Sequence, residues 1–245
     1  CPAFLCSFFL LPVRSFWDSS IIADVFSEAS GKSSIMAKGA KNPKSKFFGH
    51  LLPFSALKIV LTGKSEMKTL TQIDSNYLSQ SAKGPHDLYT YLYVNELMIR
   101  LLPKGLANLE LYNLYSNFVE LARADAINEA SLRIFELDLL DVLGYGINFD
   151  TDMHENSEFK NEIIYSYKPE RGFYTSNDGH GFTANEILSI KNREVQQIDK
   201  LKLKQLSEVA ITACLAGREL SSRKFFKKIK IRKLETVTKT HQTQP

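Results

Sequence analysis

The hydrophobic period of this chain changes near residue 80, and that switch limits the folds open to it. Before it lie five short stretches with strand character, at residues 5–13, 21–26, 33–38, 57–61 and 67–73. The last alternates well, which predicts Met67, Thr69, Thr71 and Ile73 on one face. Ser30-Gly31 and Thr62-Gly63-Lys64 supply turns between them. Five short strands in so little chain suit a small barrel. An OB-fold and an SH3-like barrel both fit the strand count.

After the break at residues 81–85 the apolar residues follow helical spacing. Leu88, Tyr91, Leu92, Leu97 and Ile99 mark a first helix, ended by Pro103. Leu111, Leu114, Tyr115, Phe118, Leu121 and Ala122 mark a second. A third starts after Asn128, a good N-cap, buries Leu132, Phe135, Leu139 and Leu143, and stops at Gly144. The tyrosines of this region read as core and rim of a helical bundle. Residues 145–180 are irregular and hold an acidic loop. A hairpin is expected there, with arms 163–168 and 172–175. Thr183 and Glu186 form a capping-box pattern that opens another helix. Residues 198–215 read as a long helix with Leu206, Val209, Ala210 and Ala213 inward. The expected class is α+β: a barrel domain at 1–80, a helical domain at 81–233 with a small β-hairpin insertion at about 145–180, and a disordered tail at 234–245. The apolar residues 5–13 are too short to span a bilayer and lack the flanks of a signal peptide, so a buried first strand is expected.

Charge is unevenly placed. Residues 31–50 carry Lys32, Lys38, Lys41, Lys44 and Lys46 with no acid among them, followed at once by Phe47 and Phe48. Residues 221–233 carry seven further basic residues and no acid, among them Arg223, Lys224, Lys227 and Lys228. The rest of the chain holds 19 basic against 27 acidic residues, a balance of −8. An acidic body with two cationic stretches points to a polyanion met at defined places, nucleic acid or anionic lipid. Cations track a phosphate backbone and exposed rings stack on bases. The same loop also fits a solvated surface turn whose phenylalanines are core. Arg14, Lys32 and Lys38 are secondary candidates on the barrel.

Motifs of phosphate-binding loops, serine hydrolases, zinc peptidases and dinucleotide folds are absent. Cys1, Cys6 and Cys214 have no ligand spacing, which points to neither a disulfide scaffold nor a zinc site. Asp150, Asp152, His154 and Glu155 match no recognised cation loop. No cofactor and no metal are expected. Two rival readings remain: a metal-dependent nuclease using the acidic loop at 150–158, and a protein held at a membrane by its apolar start and basic tail.

Taken together, the motifs resemble the RecO family of bacterial recombination mediators. Residues 14–31 (RSFWDSSIIADVFSEASG) are similar to the first hairpin of that family's barrel. Residues 37–41 (AKGAK) and 52–54 (LPF) resemble its third strand, basic loop and fourth strand, and 91–97 (YLYVNEL) its first long helix. Residues 132–137 (LRIFEL) with 143–146 (LGYG) resemble the next helix and turn, and Gly172-Phe173 and 220–223 (LSSR) its later stretches. The resemblance implies an N-terminal five-stranded OB-fold barrel followed by an α-helical domain, without catalytic chemistry. It implies binding to single- and double-stranded DNA and annealing of complementary strands. It further implies action with RecR and with single-strand-binding protein (SSB), loading of RecA, and a cytoplasmic, nucleoid-associated setting in bacteria. Many relatives carry a four-cysteine zinc module after the Gly-Tyr-Gly turn. This chain has Phe149-Asp-Thr-Asp-Met-His-Glu-Asn156 there, so no structural zinc is expected. The resemblance also places Arg133, with Leu132 and Phe135 beside it and Arg100 assisting, where the family grips the acidic C-terminal tail of SSB. Helical spacing alone offers a plainer role, pairing of Arg133 with Glu129.

Overall fold

In the computed structural model, residues 6–52, 54–74, 85–152 and 157–223 are described. The chain divides into two compact units, one of residues 1–112 with 220–245 and the other of residues 113–219.

In the first unit, β-branched and aromatic runs form β1 (Cys6–Phe16), β2 (Ser20–Ser27), β3 (Gly31–Ala37), β4 (Ala56–Thr62) and β5 (Lys68–Ile73). They close into a barrel in the order β1-β2-β3-β5-β4, with β1 also pairing β4. All pairings are antiparallel except β3 with β5. This arrangement is that of an OB-fold, which resolves the choice left by strand count. The barrel core holds Phe8, Leu10, Ala23, Val25, Ile35, Ala37, Leu57, Ile59 and Leu70. The apolar run from Cys6 to Val13 therefore serves as a barrel strand, as its pattern predicts.

Two bulges break the alternation. In β5, Val60 pairs Gln72 while Leu61 pairs Leu70, so Thr71 is the extra residue. Its hydroxyl donates to the Val60 carbonyl at 3.1 Å. An extra residue reverses which face the next side chain meets. Leu70 and Ile73 consequently both turn to the core, and the expected single face of Met67, Thr69, Thr71 and Ile73 is corrected. In β1, the register slips between Leu10 and Val13, and Leu10 and Leu11 are both fully buried.

Helix α1 (Pro85–Leu101) belongs with the barrel. Phe54 stacks on Tyr91 with ring centroids 4.2 Å apart and planes 4° from parallel. Phe9 and Phe26 meet Tyr112 at 5.3 and 6.0 Å. Aromatic pairs of this kind add about 0.5–1.5 kcal/mol beyond area burial. Gly31, at φ 60°, lies where a Cβ would come within 2.0 Å of the Leu106 carbonyl oxygen, so no other residue fits. The compact unit thus extends past the expected boundary at residue 80.

The boundary between units falls inside α2 (Leu109–Arg123). In the second unit, α3 (Glu129–Val142) packs against α5 (Lys200–Cys214), and Phe118 meets Phe135 at 4.6 Å. Asn128 caps α3 through the Ser131 amide, as its sequence position predicts. Helix α4 (Ala184–Lys191) opens with the Thr183–Glu186 capping box. The expected hairpin is present as β6 (Ile164–Lys168) and β7 (Gly172–Thr175). It gains a third strand, β8 (Phe182–Thr183), beside β6. Phe173 is the hub of this small sheet, with Phe149, Phe159, Tyr167 and Phe182 around it. On α5 the buried face is Leu203, Leu206, Ser207, Ala210 and Ile211. Val209, expected inward, is 43% exposed, and Ala213 is exposed too.

Candidate nucleic-acid interface

The loop between β3 and β4 is turn-rich and holds itself in shape. The Asn42 amide donates to the Gly39 carbonyl at 3.0 Å, and the Ser45 amide to the Asn42 carbonyl at 2.8 Å. The Asn42 side chain accepts from the Lys44 amide at 2.9 Å. Ala40, Phe47 and Leu51 anchor the loop in the barrel core. Of the two phenylalanines, Phe47 is therefore structural and Phe48 is exposed. Lys38, Lys44 and Lys46 point to solvent from this rigid base.

Lys41 has a different task. Its amide donates to the Ser19 carbonyl at 3.0 Å, and its ammonium to the Trp17 carbonyl at 2.9 Å. One lysine thus braces the loop to the β1–β2 hairpin turn. Trp17 sits at that turn, 81% exposed, with φ 51°. A left-handed conformation costs a residue with a Cβ about 1–2 kcal/mol. The sequence reading passed over Trp17. Its available signal was a lone tryptophan beside Asp18-Ser19-Ser20, the polar turn between two strand patterns.

The other barrel candidates separate. Arg14 is exposed and pairs with Asp24 at 3.1 Å, and Asp24 also accepts from the Ser34 hydroxyl at 2.6 Å. An exposed pair of this kind is worth at most about 1 kcal/mol, so Arg14 can turn to another anion. Lys32 is only 8% exposed. Its ammonium donates to the Ile99 carbonyl at 2.6 Å and to the Leu102 carbonyl. It neutralises the negative C-terminal end of α1, and its expected place on a DNA-facing surface is corrected. Arg223 is half-buried, and Lys224, Lys227 and Lys228 lie outside the described residues.

Of the four proposed tail-gripping residues, Arg100 alone is exposed. Arg133, expected to grip an external tail, is only 5% exposed. Its Nη1 donates to both oxygens of the fully buried Glu136 at 2.8 and 2.7 Å, and its Nε to Glu129 at 3.1 Å. Ser207 on α5 accepts a further bond at 3.2 Å. Leu132 and Phe135 are buried in the same unit. Arg100 is exposed on α1, 3.7 Å from Glu96.

Glu96 in turn receives the Ser221 amide at 2.9 Å, the Ser222 amide at 2.8 Å and the Ser222 hydroxyl at 2.6 Å. Partial burial pulls its carboxyl up. The Ser222 and Ser221 bonds and the Arg100 charge outweigh this and hold it below the ordinary value. Arg14, Asp24, Leu92, Glu96, Ile99, Arg100, Ser221 and Ser222 line a shallow cavity of about 440 Å³ in this unit.

The described residues of the acidic loop go to separate places. Asp150 pairs with Lys191 and Asp152 is buried, while His154 and Glu155 lie outside the described residues. Among the described residues no group of three or more acidic, histidine or cysteine side chains could hold a metal ion. No described helix is long and apolar enough to cross a membrane.

Comparison with known proteins agrees with this architecture. Residues 4–77 match the family model for the recombination protein O N terminal region, and residues 84–224 that for its C terminal region. A curated relative described as DNA repair protein RecO, from Salmonella enteritidis, is 34% identical over 223 residues, spanning 89% of this chain and 92% of the relative. One of the same description from Photobacterium profundum is 37% identical over 222 residues, spanning 89% and 93%. The two family matches cover both the barrel that carries the exposed lysine loop and the helices that follow it: the chain belongs to the RecO (recombination protein O) family.

Proposed function

We propose that this chain is a DNA repair and recombination mediator that binds single- and double-stranded DNA without reading sequence. The observation that carries the reading is the acid-free loop bearing Lys38, Lys44 and Lys46, exposed on a rigid base at a barrel of OB type. OB-folds use such loops to track a phosphate backbone. Arg14 adds a cation on the neighbouring strand, and the 223–228 segment supplies a second basic stretch.

Annealing follows from the same physics. Two complementary strands repel each other, and a protein with more than one cationic stretch neutralises both and raises their local concentration. No covalent step is required, so the reading is non-catalytic. Family membership supports partnership with RecR, capture of the SSB tail and help in loading RecA onto coated strands, in the bacterial cytoplasm. Within that reading Arg100 is the exposed cation for a tail carboxylate. Arg133 supports the helical unit from within, through its own two glutamates.

The test is the triple variant Lys38→Ala, Lys44→Ala, Lys46→Ala. Affinity should fall for every sequence alike, and the slope of log affinity against log salt should flatten by about 2–3 for three lost phosphate contacts. An unchanged slope removes the loop from the interface. Annealing of complementary oligonucleotides coated with SSB should slow in the same variant.

A further inference from the structure

Trp17 answers a question that the lysines leave open: what in this protein could prefer a single strand to a duplex. Cations on a loop meet phosphates equally in either. An indole face is different, because a base offers its own face only when it is unstacked.

Several observations converge on this side chain. It is the only tryptophan of the chain. It is the most exposed of the large apolar side chains among the described residues. Its ring neighbour among the described residues, Phe16, is 6.1 Å away and tilted by 48°, and the indole stays 81% exposed. Its backbone lies in the left-handed region, where asparagine or glycine would sit with less strain. A bulky ring kept in a strained, solvent-facing turn points to a use for the ring. Lys41 makes the turn rigid by binding the Trp17 and Ser19 carbonyls. The turn that carries the indole is therefore tied to the lysine loop.

We infer that Trp17 is a stacking platform for one unpaired DNA base, with Lys41 as its positioning residue. The inference rests on the reading of the lysine loop as a DNA-binding surface and gives that surface its strand preference. A backbone tracked by Lys38, Lys44 and Lys46 would bring successive bases past the hairpin turn, where the ring takes one of them. The platform meets a base through its ring face, which every base can stack on, so it accepts any base.

The experiment uses the full chain, its own fluorescence, a thymidine oligonucleotide and a long blunt duplex. As the sole tryptophan, Trp17 reports directly on its own contacts. Titration with the oligonucleotide should quench its emission in step with binding followed by anisotropy of labelled DNA. The duplex should bind with little quenching. Trp17→Asn, which suits the backbone of the turn, should unfold no earlier than wild type. It should bind the oligonucleotide on the order of tenfold more weakly and the duplex unchanged. Trp17→Phe should recover most of the loss. Lys41→Met should keep duplex binding within a few-fold and lose part of the quenching. Binding without quenching overturns the platform and leaves the lysine reading standing. Equal losses on oligonucleotide and duplex also overturn it. No DNA binding by the wild-type chain at low salt overturns the reading beneath it. A matched uridine RNA strand that binds more tightly than the thymidine strand overturns the assignment to DNA.

Discussion

Arg133 and Glu136 form an ion pair inside the helical unit, with both carboxylate oxygens of Glu136 within 2.8 Å of one guanidinium nitrogen. Glu136 has no exposed surface. Removing Arg133 takes the guanidinium away from both oxygens of the buried Glu136 carboxylate. Arg133→Ala should therefore destabilise the protein by about 3–5 kcal/mol, read by denaturant unfolding of the helical signal. The pair Arg133→Met with Glu136→Leu should recover most of that loss, because neither charge is then stranded. A single variant as stable as wild type would show that the pair contributes nothing.

Glu96 should make stability depend on acidity. Its folded carboxyl titrates below the ordinary value of 4.5, because its serine bonds outweigh its partial burial. The stabilisation is therefore complete above the ordinary value and is lost as pH falls from there through the lower folded value. The unfolding free energies of wild type and Glu96→Gln should differ most near neutrality and converge in acid. A difference that stays constant from pH 7 to pH 3 would assign the effect to packing alone.

Lys32 and Lys44 share a residue type and should fail in opposite ways. Lys32→Met removes the charge that closes α1, so the melting temperature should fall while DNA affinity of the folded protein holds within about twofold. A group hydrogen-bonded in this buried setting is worth about 1–3 kcal/mol. Lys44→Ala should leave melting unchanged and weaken DNA binding. Unfolding scans beside anisotropy titrations on both variants decide it. Identical behaviour of the two would undo the distinction.

The Thr183 hydroxyl accepts from the Glu186 amide at 3.2 Å, and the Thr183 amide donates to the Glu186 carboxylate at 2.9 Å. Lys202 of α5 also reaches both Glu186 oxygens, at 2.9 and 3.0 Å. Thr183→Ala should cost about 1 kcal/mol. Glu186→Ala should cost more, since it releases the cap and the tie to α5 together. Chemical denaturation of both variants checks the order, and an equal or inverted cost would show that the Lys202 contact is idle.

What the sequence made legible was local. Asn128, Thr183 and Gly144 announce helix ends because a cap is set by one residue and its near neighbours. The five strands are visible because pairing needs only a run of suitable side chains. The phase of β5 was not visible, because a bulge at Thr71 depends on its partner strand. The inward face of α5 was misjudged at Val209 for a similar reason. That helix buries Ser207, whose hydroxyl accepts from Arg133 of α3. Burial of a polar group follows from a distant partner and leaves no mark in local hydropathy. The cationic loop stood out as a cluster, yet the cluster mixes three fates. Lys32 closes a helix 67 and 70 residues further on, Lys41 braces a turn, and Lys38, Lys44 and Lys46 reach solvent. Charge counting cannot sort them, because the acceptors of Lys32 and Lys41 are backbone carbonyls, which every residue possesses.

The packing of Phe54 on Tyr91, and of Phe9 and Phe26 on Tyr112, decides where this protein can be cut. A fragment ended at residue 80 keeps all five barrel strands but uncovers three aromatic rings. It also strips the Lys32 ammonium of both its carbonyls. Such a piece should be sticky and short-lived in solution, and its DNA binding would be measured on a damaged surface. Cutting after Tyr112 keeps the partner of each of those rings, although Ser221 and Ser222, which bind Glu96, belong to the same compact unit. Anyone wishing to study the barrel alone must take its first helix with it.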